Sequence, residues 1–202
     1  VMKYKAIIFD MDGTIIDSEH VWKKATQELI ASKVPSIDPE VLREVEKQVH
    51  GLALKGSSTV IKEMFKLDDS IEDLMKEQQQ RALDLYKNNI NFISGFNDFY
   101  HRVKKENLKI GIATNADDKT LQAAVNKLKL NNLFGEHIYN ISHVNYVHKP
   151  APDLYLHVAK KLNINPQECI AIEDSHHGVT AAVDADMFCV GINTAKNREY
   201  LT

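Results

Sequence analysis

The half of the chain after residue 100 alternates short apolar, β-branched segments with segments of helical periodicity, and this alternation constrains the fold most. The apolar segments predict strands at 108–113, 137–141, 169–172 and 188–192. The periodic segments predict helices at 120–130, 152–162 and 178–185. Because helical crossovers of this length join parallel strands, the pattern predicts an α/β fold with a doubly wound parallel sheet.

A further strand is predicted near the start of the chain, and it ends in two carboxylates. The apolar run 6–9 is followed directly by Asp10-Met11-Asp12-Gly13-Thr14. Acids at the carboxyl end of a buried strand lie where open α/β sheets bind ligands, and a hard cation such as Mg²⁺ would relieve their repulsion. One carboxylate can then attack an electrophile while its neighbour carries protons. A solvated DxDG turn is the alternative on local grounds.

The composition excludes several classes of partner. The chain has 202 residues, 44% of them hydrophobic and 26% charged, which is ordinary for one globular domain with an insertion. A formal net charge of −3 gives no basic surface for nucleic acid or an anionic membrane. No apolar run approaches the roughly 20 residues that a membrane helix needs. Cys169 and Cys189 lie in apolar stretches, so we expect buried free thiols and a cytoplasmic location.

Between Asp17 and Asn91 the pattern changes to helices alone. Amphipathic helices are predicted at 21–32, 39–49, 57–65 and 71–88, and no segment between them has the pattern of a strand. We therefore predict a core domain of residues 1–15 and 92–202 and a helical-bundle cap of residues 16–91, with Trp22 and Met64 in the core of the cap. Two linkers to the core suit a lid that closes over the strand ends.

Two further strand ends carry side chains that can hold phosphate. Thr114 and Asn115 offer a hydroxyl and an amide after the strand at 108–113, although they equally suit the cap of the next helix. Lys149 is followed by Pro150 and Pro152, which stiffen the segment and fix the lysine as a compact positive charge. A solvated lysine is the alternative.

Adjacent acids follow the strand at 169–172. Glu173 and Asp174 are costly side by side at the end of a buried strand unless a cation neutralises them. A metal is the natural partner of such a pair. Asp174 also suits a helix cap, which explains part of the pattern.

The order of these motifs resembles the haloacid dehalogenase-like superfamily of phosphotransferases, over essentially the whole chain. Asp10-Met11-Asp12-Gly13-Thr14 is similar to its first motif, Thr114 to its second, Lys149 to its third and Glu173-Asp174 to its fourth. The helical insertion resembles the cap of the subgroup that contains β-phosphoglucomutase and sugar-phosphate phosphatases. The resemblance implies a Rossmann-like core, a Mg²⁺ requirement and an aspartyl-phosphate intermediate.

The resemblance also implies a role for each motif residue. Asp10 would be the nucleophile, and Asp12 would protonate the leaving alcohol and then activate water. The metal would be held by Asp10, the backbone carbonyl of Asp12, Asp174 and, directly or through water, Glu173. Lys149 and Thr114 would hold the phosphate oxygens. The predicted substrate-binding residues are Thr114, Asn115, Lys149 and, in the cap, Gly51 and Lys55.

The second motif-one aspartate favours phosphoryl transfer over dehalogenation, and the choice between phosphatase and mutase depends on the cap. The stretch Lys55-Gly56-Ser57-Ser58-Thr59 lacks the arginine with which β-phosphoglucomutases hold a distal phosphate, which favours a phosphatase. A β-phosphoglucomutase-like mutase is the alternative. A phosphoacceptor like the signalling receiver domains is a third interpretation, against which the cap and the DxDG sequence count.

Some residues depart from the usual pattern of the family. His148 and Asp186 stand where relatives commonly have glycine. His143, His148, His176 and His177 match no compact zinc spacing, and we expect solvated or substrate-contacting roles for them. We expect a small phosphorylated metabolite as the partner, and a monomer or weak dimer.

Overall fold

The computed structural model describes residues 3–49, 52 and 54–193. The chain divides into two compact units. The core unit holds the residues up to 19 and from 90 onward, and the helical unit holds residues 20–89. No helix among the described residues is both long enough and apolar enough to span a bilayer.

The core unit is built on a parallel five-stranded sheet. Its strands are β1 (Ala6–Phe9), β4 (Lys109–Thr114), β5 (Ile138–Asn140), β6 (Cys169–Glu173) and β7 (Phe188–Gly191). Their order across the sheet is β5-β4-β1-β6-β7, so β1 is central and pairs with β4 on one side and β6 on the other. The predicted Rossmann-like α/β fold is confirmed.

Among the described residues, five α-helices accompany this sheet, and two of them were not predicted. They are α5 (Phe96–Lys105), α6 (Asp118–Leu128), α7 (Leu130–Phe134), α8 (Asp153–Leu162) and α9 (His176–Asp184). The sequence analysis missed α5, because aromatic and basic residues are mixed along it and its apolar side rests on Phe96, Tyr100 and Val103 alone. It also missed α7, because the helix predicted at 120–130 ends at the first residue of α7, and Lys129 in the left-handed conformation separates the two helices.

A second, two-stranded sheet lies where the chain leaves and rejoins the core unit. Strands β2 (Ile16–Asp17) and β3 (Asn91–Phe92) pair antiparallel. The sequence analysis found no strand in this region, because two residues are too few to show the alternation of a strand.

The two faces of β1 bury different side chains, as a doubly wound sheet requires. Ala6 and Ile8 pack in a cluster with residues of α8 and α9. On the opposite face, the Phe9 ring lies 5.9 Å from the Phe96 ring and 5.8 Å from the Phe134 ring, both edge to face. Because both faces are buried, β1 is apolar throughout, and its first polar side chain comes where the strand ends.

The helical unit contains α1 (Glu19–Lys33), of which Glu19 belongs to the core unit, α2 (Pro39–Val49), α3 (Leu54–Phe65) and α4 (Ile71–Asn89). Its core is the cluster of Leu29, Ile30, Val45, Ile61 and Leu74. The prediction that Trp22 and Met64 belong to this core is wrong, since 38% and 37% of their surfaces are exposed. Both side chains lie on helix faces that turn toward solvent.

Candidate active site

The register of the central strands brings three chain segments to one edge of the sheet. Phe9 pairs with Ile112 of β4 and with Ile172 of β6, so the next residues along the three strands are neighbours. The backbone N–H of Asp10 donates to the Ile172 carbonyl at 3.0 Å, which continues the ladder by one step. Asp10 and Glu173 therefore lie side by side although 163 positions separate them in the sequence.

Lys149 is the centre of this site. Its ammonium donates to Asp10 Oδ1 at 2.6 Å, to Glu173 Oε1 at 2.6 Å and to the Ala113 carbonyl at 2.8 Å. An ammonium has three hydrogens, so these contacts use all of them. The alternative that Lys149 is a solvated lysine is wrong, because only 3% of its side chain is exposed.

The Glu173 carboxylate is completely buried and held from several directions. Its Oε1 accepts from Lys149 and, at 2.7 Å, from the Tyr155 hydroxyl on α8, and its Oε2 accepts from the Ser175 hydroxyl at 3.1 Å. Gly178 in α9 makes room for the group, because a Cβ at this position would overlap the Glu173 carboxyl atoms. The sequence therefore supplies partners for a charge that burial alone would make costly.

Asp174 has a different environment from its neighbour. Thr14 donates to Asp174 Oδ1 at 3.4 Å, and a Cβ on Gly13 would overlap the Asp174 carboxylate. Gly13 has φ +80°, a conformation that suits glycine, so the first motif needs glycine here for two reasons. The suggestion that Asp174 caps the next helix is wrong, because Ser175 caps α9 by accepting from the Gly178 N–H.

The three carboxylates form a group that a divalent cation fits. One oxygen each of Asp10, Glu173 and Asp174 lies within 4.8 Å of the other two. Lys149 provides one positive charge for these three acids, so a divalent ion would balance the charges of the group. Oxygen ligands of this kind are those that Mg²⁺ prefers.

The pKa values at the site reflect the same excess of acidic over basic groups. Burial raises the pKa of Asp10 well above its ordinary value, and Glu173 and Asp174 raise it further against the lowering effect of Lys149. Burial and the Glu173 charge raise the pKa of Asp174 to about 6. Burial alone would lower the pKa of Lys149, but the Asp10 and Glu173 charges raise it above its ordinary value, so the ammonium stays charged.

Thr114 and Asn115 lie at the end of β4 and brace the loops of the site. The Thr114 hydroxyl accepts from the Ala116 N–H at 3.1 Å, and Asn115 Oδ1 accepts from the Lys149 N–H at 3.0 Å. The alternative that these residues cap the following helix is wrong, because Asp117 caps α6 by accepting from the Thr120 N–H.

The remaining predicted site residues are not gathered with this group. Asp12 is half-buried two residues after Asp10, and its side chain is not one of the three that meet within 4.8 Å. Lys55 is exposed in the first turn of α3, in the helical unit. Gly51 lies outside the described residues. Among the residues described, the histidines form no group of three metal ligands.

The sequence analysis did not predict that three residues hold Glu173 in place: Tyr155, Ser175 and Gly178. Tyr155 follows Leu154 and precedes Val158 on the apolar side of α8, so its spacing is that of an ordinary core residue. Its hydroxyl is the only sequence signal, since a buried tyrosine usually finds a hydrogen-bond partner. Ser175 and Gly178 have the spacing of a helix cap, which conceals their contact with the acid.

Known phosphatases and phosphomutases are similar to this chain in sequence or in structure. A fructose-1-phosphate phosphatase from Escherichia coli is 26% identical over 198 residues, which cover 94% of this chain and 97% of that protein. A HAD family hydrolase from Deinococcus radiodurans, solved with bound phosphate and sodium, is 26% identical with a TM-score of 0.76, over 94% of this chain and 80% of that one. A β-phosphoglucomutase from Clostridium difficile is 27% identical with a TM-score of 0.69, over 98% and 87% of the two chains.

The family model that matches the chain covers the helical unit and most of the core unit. It describes a haloacid dehalogenase-like hydrolase and matches residues 4–186, which include all four motifs. The predicted resemblance is confirmed, and so is the prediction that the chain is an enzyme of this superfamily. The chain, with Asp10 directly after β1, the buried Lys149 and the acids at the end of β6, thus belongs to the haloacid dehalogenase-like hydrolases.

Proposed function

We propose that the protein is a Mg²⁺-dependent phosphatase that hydrolyses a small phosphomonoester, a sugar phosphate, through an aspartyl-phosphate intermediate. The observation that carries the proposal is the buried contact of Lys149 with Asp10, within a group of three carboxylates at the end of the central strand. A buried acid beside an ammonium and a group of carboxylates that can hold a cation has the surroundings that a carboxylate nucleophile needs. The likeness to a fructose-1-phosphate phosphatase supports a sugar phosphate as the substrate class.

The metal would be held by Asp10, Asp174 and the backbone carbonyl of Asp12, with Glu173 coordinating directly or through water. When bound, Mg²⁺ neutralises the charge that develops on the transferred phosphoryl group. The raised pKa of Asp10 supports a Mg²⁺ requirement, because burial and two neighbouring acids oppose the ionisation of this carboxyl group. Lys149 favours the ionised form of Asp10, and in this proposal it exchanges one of its three contacts for a phosphate oxygen when substrate binds.

In the first step, a carboxylate oxygen of Asp10 attacks phosphorus and the bond from phosphorus to the ester oxygen breaks. Asp12 protonates the departing alcohol. In the second step, Asp12 removes a proton from water, which attacks the phosphoenzyme and regenerates the Asp10 carboxylate. Phosphate leaves as the other product, so the two steps together consume one water.

Thr114 and Asn115 would hold the phosphate during these steps. The Thr114 hydroxyl accepts from the Ala116 N–H, so its own proton remains for a phosphate oxygen. The Asn115 carbonyl oxygen already accepts from the Lys149 N–H, so its amide nitrogen is the donor that it offers to substrate. In the helical unit, Gly51 and Lys55 remain proposed substrate contacts, and Lys55→Ala should raise KM more than it lowers kcat.

A β-phosphoglucomutase-like reaction is the second candidate, because a β-phosphoglucomutase is among the similar structures. Two observations favour hydrolysis. The stretch Lys55-Gly56-Ser57-Ser58-Thr59 has no arginine to hold a second phosphate. Ser57 and Ser58 are buried inside the helical unit, where both contact the Gln78 amide, so they are occupied as structural side chains.

The decisive experiment measures phosphate release from a panel of sugar phosphates with Mg²⁺ and with EDTA. We expect release that requires Mg²⁺ and that Asp10→Asn abolishes, whereas Asp12→Asn leaves at most slow turnover. Normal turnover by Asp10→Asn would refute the nucleophile assignment. Incubation with β-glucose 1-phosphate and a trace of the bisphosphate separates the candidates, since a mutase forms glucose 6-phosphate and a phosphatase releases phosphate.

We further propose that the enzyme acts in the cytoplasm. Both cysteines are free: Cys169 is buried and Cys189 is half-buried. Burial raises the pKa of each thiol to about 11, so both remain protonated and unreactive at neutral pH. Free thiols of this kind suit a reducing compartment.

A further inference from the structure

Tyr155 is a buried polar group that the proposed reaction does not use. It lies in the first turn of α8, with none of its surface exposed. Its hydroxyl donates to Glu173 Oε1 at 2.7 Å. Other residues at this depth of the helix, Leu154 and Val158, are plainly apolar, so the hydroxyl is an exception on the buried face.

The hydroxyl completes the shell of partners around Glu173. Oε1 has two lone pairs, and they are taken by Lys149 at 2.6 Å and Tyr155 at 2.7 Å. On the other side, Ser175 donates to Oε2 and Gly178 leaves space for the carboxyl group. Without Tyr155, Oε1 would keep Lys149 as its one remaining partner among these residues.

The same side chain also contacts Lys149. The ammonium lies 4.8 Å from the centre of the Tyr155 ring, within the range of a cation–π interaction. It is also 3.4 Å from the Tyr155 hydroxyl oxygen. Tyr155 thus contacts both Glu173 and Lys149, the buried ion pair that lies beside Asp10.

We infer that Tyr155 is a positioning residue of this site, which fixes Glu173 against Lys149 so that the acidic group of Asp10, Glu173 and Asp174 is preformed for its cation. The inference rests on the proposed function, because it assumes that this group binds Mg²⁺. In this inference Tyr155 acts through its hydrogen bond to Glu173 and is not itself a ligand of the ion. Hydrogen-bond partners of metal-binding carboxylates commonly have this effect on metal affinity.

The test is the affinity for Mg²⁺ of Tyr155→Phe, measured by calorimetry without substrate. Phenylalanine keeps the ring over Lys149 and removes the hydroxyl, which donates to Glu173 and lies 3.4 Å from the Lys149 ammonium. The matched control is Tyr100→Phe, since the buried Tyr100 hydroxyl donates to the Leu133 carbonyl at 3.0 Å elsewhere in the core unit. We expect Tyr155→Phe to raise the dissociation constant about tenfold, at the lower end of the effects known for such partners, and Tyr100→Phe to leave it unchanged.

The outcomes separate the inference from the proposed function. If the wild type binds Mg²⁺ and Tyr155→Phe binds it within twofold of the wild type, Tyr155 is an ordinary core residue and the inference is wrong. If the wild type does not bind Mg²⁺, the proposed function fails and the inference with it. Running all three titrations in sucrose, which stabilises folded states, keeps a weakened variant folded, and the rise in Tm on adding Mg²⁺ gives a second reading of affinity.

Discussion

Each of the two units buries a polar cluster, and the two clusters differ in kind. The core unit buries an ionic cluster in which one ammonium faces the acids of Asp10 and Glu173. The helical unit buries a neutral cluster in which the Gln78 amide donates to Thr26 at 2.7 Å and to Ser57 at 3.3 Å, and accepts from Ser58 at 3.4 Å. The neutral cluster joins α1, α3 and α4, and each of these side chains has a partner.

The difference indicates which unit carries the chemistry. A buried neutral network costs little when its members are satisfied, and it fixes how helices pack. A buried ionic cluster in which two acids have raised pKa values is unfavourable for the fold in the absence of a further cation. Charges of this kind are often retained at functional sites, which supports our proposal that the reaction takes place in the core unit.

Lys149→Met would break the ionic cluster, and we expect the largest effect from it. The substitution leaves Asp10 and Glu173 buried beside each other without a cation. Removing one partner of a buried pair costs about 3–5 kcal/mol, and turnover should be lost. Chemical denaturation and phosphate release would measure the two effects.

Lys109→Met is the control for this substitution. Lys109 is an exposed residue of the same unit; its ammonium donates to the Leu162 carbonyl at 2.7 Å and forms no salt bridge with an acid among the described residues. Its loss should cost about 1 kcal/mol and leave turnover unchanged. An equal loss of stability in both variants would show that the ionic cluster is no more critical than an ordinary lysine contact.

Asp174→Asn tests how much the ionised acid at position 174 destabilises the fold, through the pH dependence of Tm. The folded-state pKa of Asp174 is raised to about 6 from an ordinary 3.8, chiefly by burial and then by Glu173. The stability that protonated Asp174 contributes is therefore full below pH 3.8 and is lost as the pH rises through about 6. Asparagine cannot ionise, so in EDTA the Tm of the variant should exceed that of the wild type at pH 7, on the order of 5 °C, and the difference should vanish near pH 4.

Saturating Mg²⁺ should reverse the sign of this Tm difference at pH 7, so that the wild type has the higher Tm. The wild type gains the free energy of Mg²⁺ binding, whereas the variant has lost a ligand. A Tm difference that does not change between pH 4 and 7 would contradict the burial of an ionisable Asp174. Scanning calorimetry of both proteins at several pH values, with EDTA and with Mg²⁺, provides the measurement.

Strands and motif positions were predictable because they depend on local sequence. The apolar runs of β1 and β6 are bounded by their first acids, so Asp10 and Glu173 were found at strand ends. The capping alternatives for Thr114 and Asp174 could not be resolved locally, because Asp117 and Ser175 are equally good caps one to three residues further on. Only the folded chain distinguishes the residue that caps from the residue that faces the site.

The convergence on Lys149 could not be predicted from local patterns. Its three acceptors come from three segments, and Asp10 is 139 positions away. Asp186 stands where relatives commonly have glycine, and the backbone explains this preference. The residue has φ +60°, a conformation in which glycine is favoured. The fold could thus be predicted from hydrophobic periodicity, whereas the partners of the buried charges could be identified only from the register of the folded sheet.

Gln78→Leu would break the neutral cluster and should have a smaller, purely structural effect. The Thr26, Ser57 and Ser58 side chains would lose a buried partner, at a cost of about 1–3 kcal/mol. We expect the unfolding free energy to fall by this amount and kcat to stay within twofold of the wild type. Gln80→Leu on the same helix is the control. Gln80 is exposed, and its side-chain amide donates to Asp84 on the surface of α4.

A fall in kcat of tenfold or more for a folded Gln78→Leu would contradict the comparison. It would mean that the packing of α1, α3 and α4 controls the reaction, and that the neutral cluster belongs to the catalytic machinery. Denaturant unfolding and steady-state kinetics on the same preparations distinguish the two outcomes.

Gly56→Ala has the smallest expected effect and tests the helical unit most directly. Gly13 and Gly178 in the core unit leave no room for a Cβ, because the Asp174 and Glu173 carboxyl groups occupy that space. Gly56 lies within α3, and the nearest described atom to a Cβ there is Leu52 Cβ at 3.6 Å, an ordinary contact. Alanine should therefore stabilise the protein by about 0.5–1 kcal/mol, since glycine is a poor helix former.

Thermal unfolding and steady-state kinetics of Gly56→Ala give two readings that need not agree. If Tm rises and KM is unchanged, Gly56 is a neutral position and the chemistry belongs to the core unit alone. If Tm rises while KM rises severalfold, the missing side chain marks a place where substrate approaches the backbone of α3. In that case the helical unit retains a costly glycine for the same reason that the core unit retains its buried acids, because a ligand requires it.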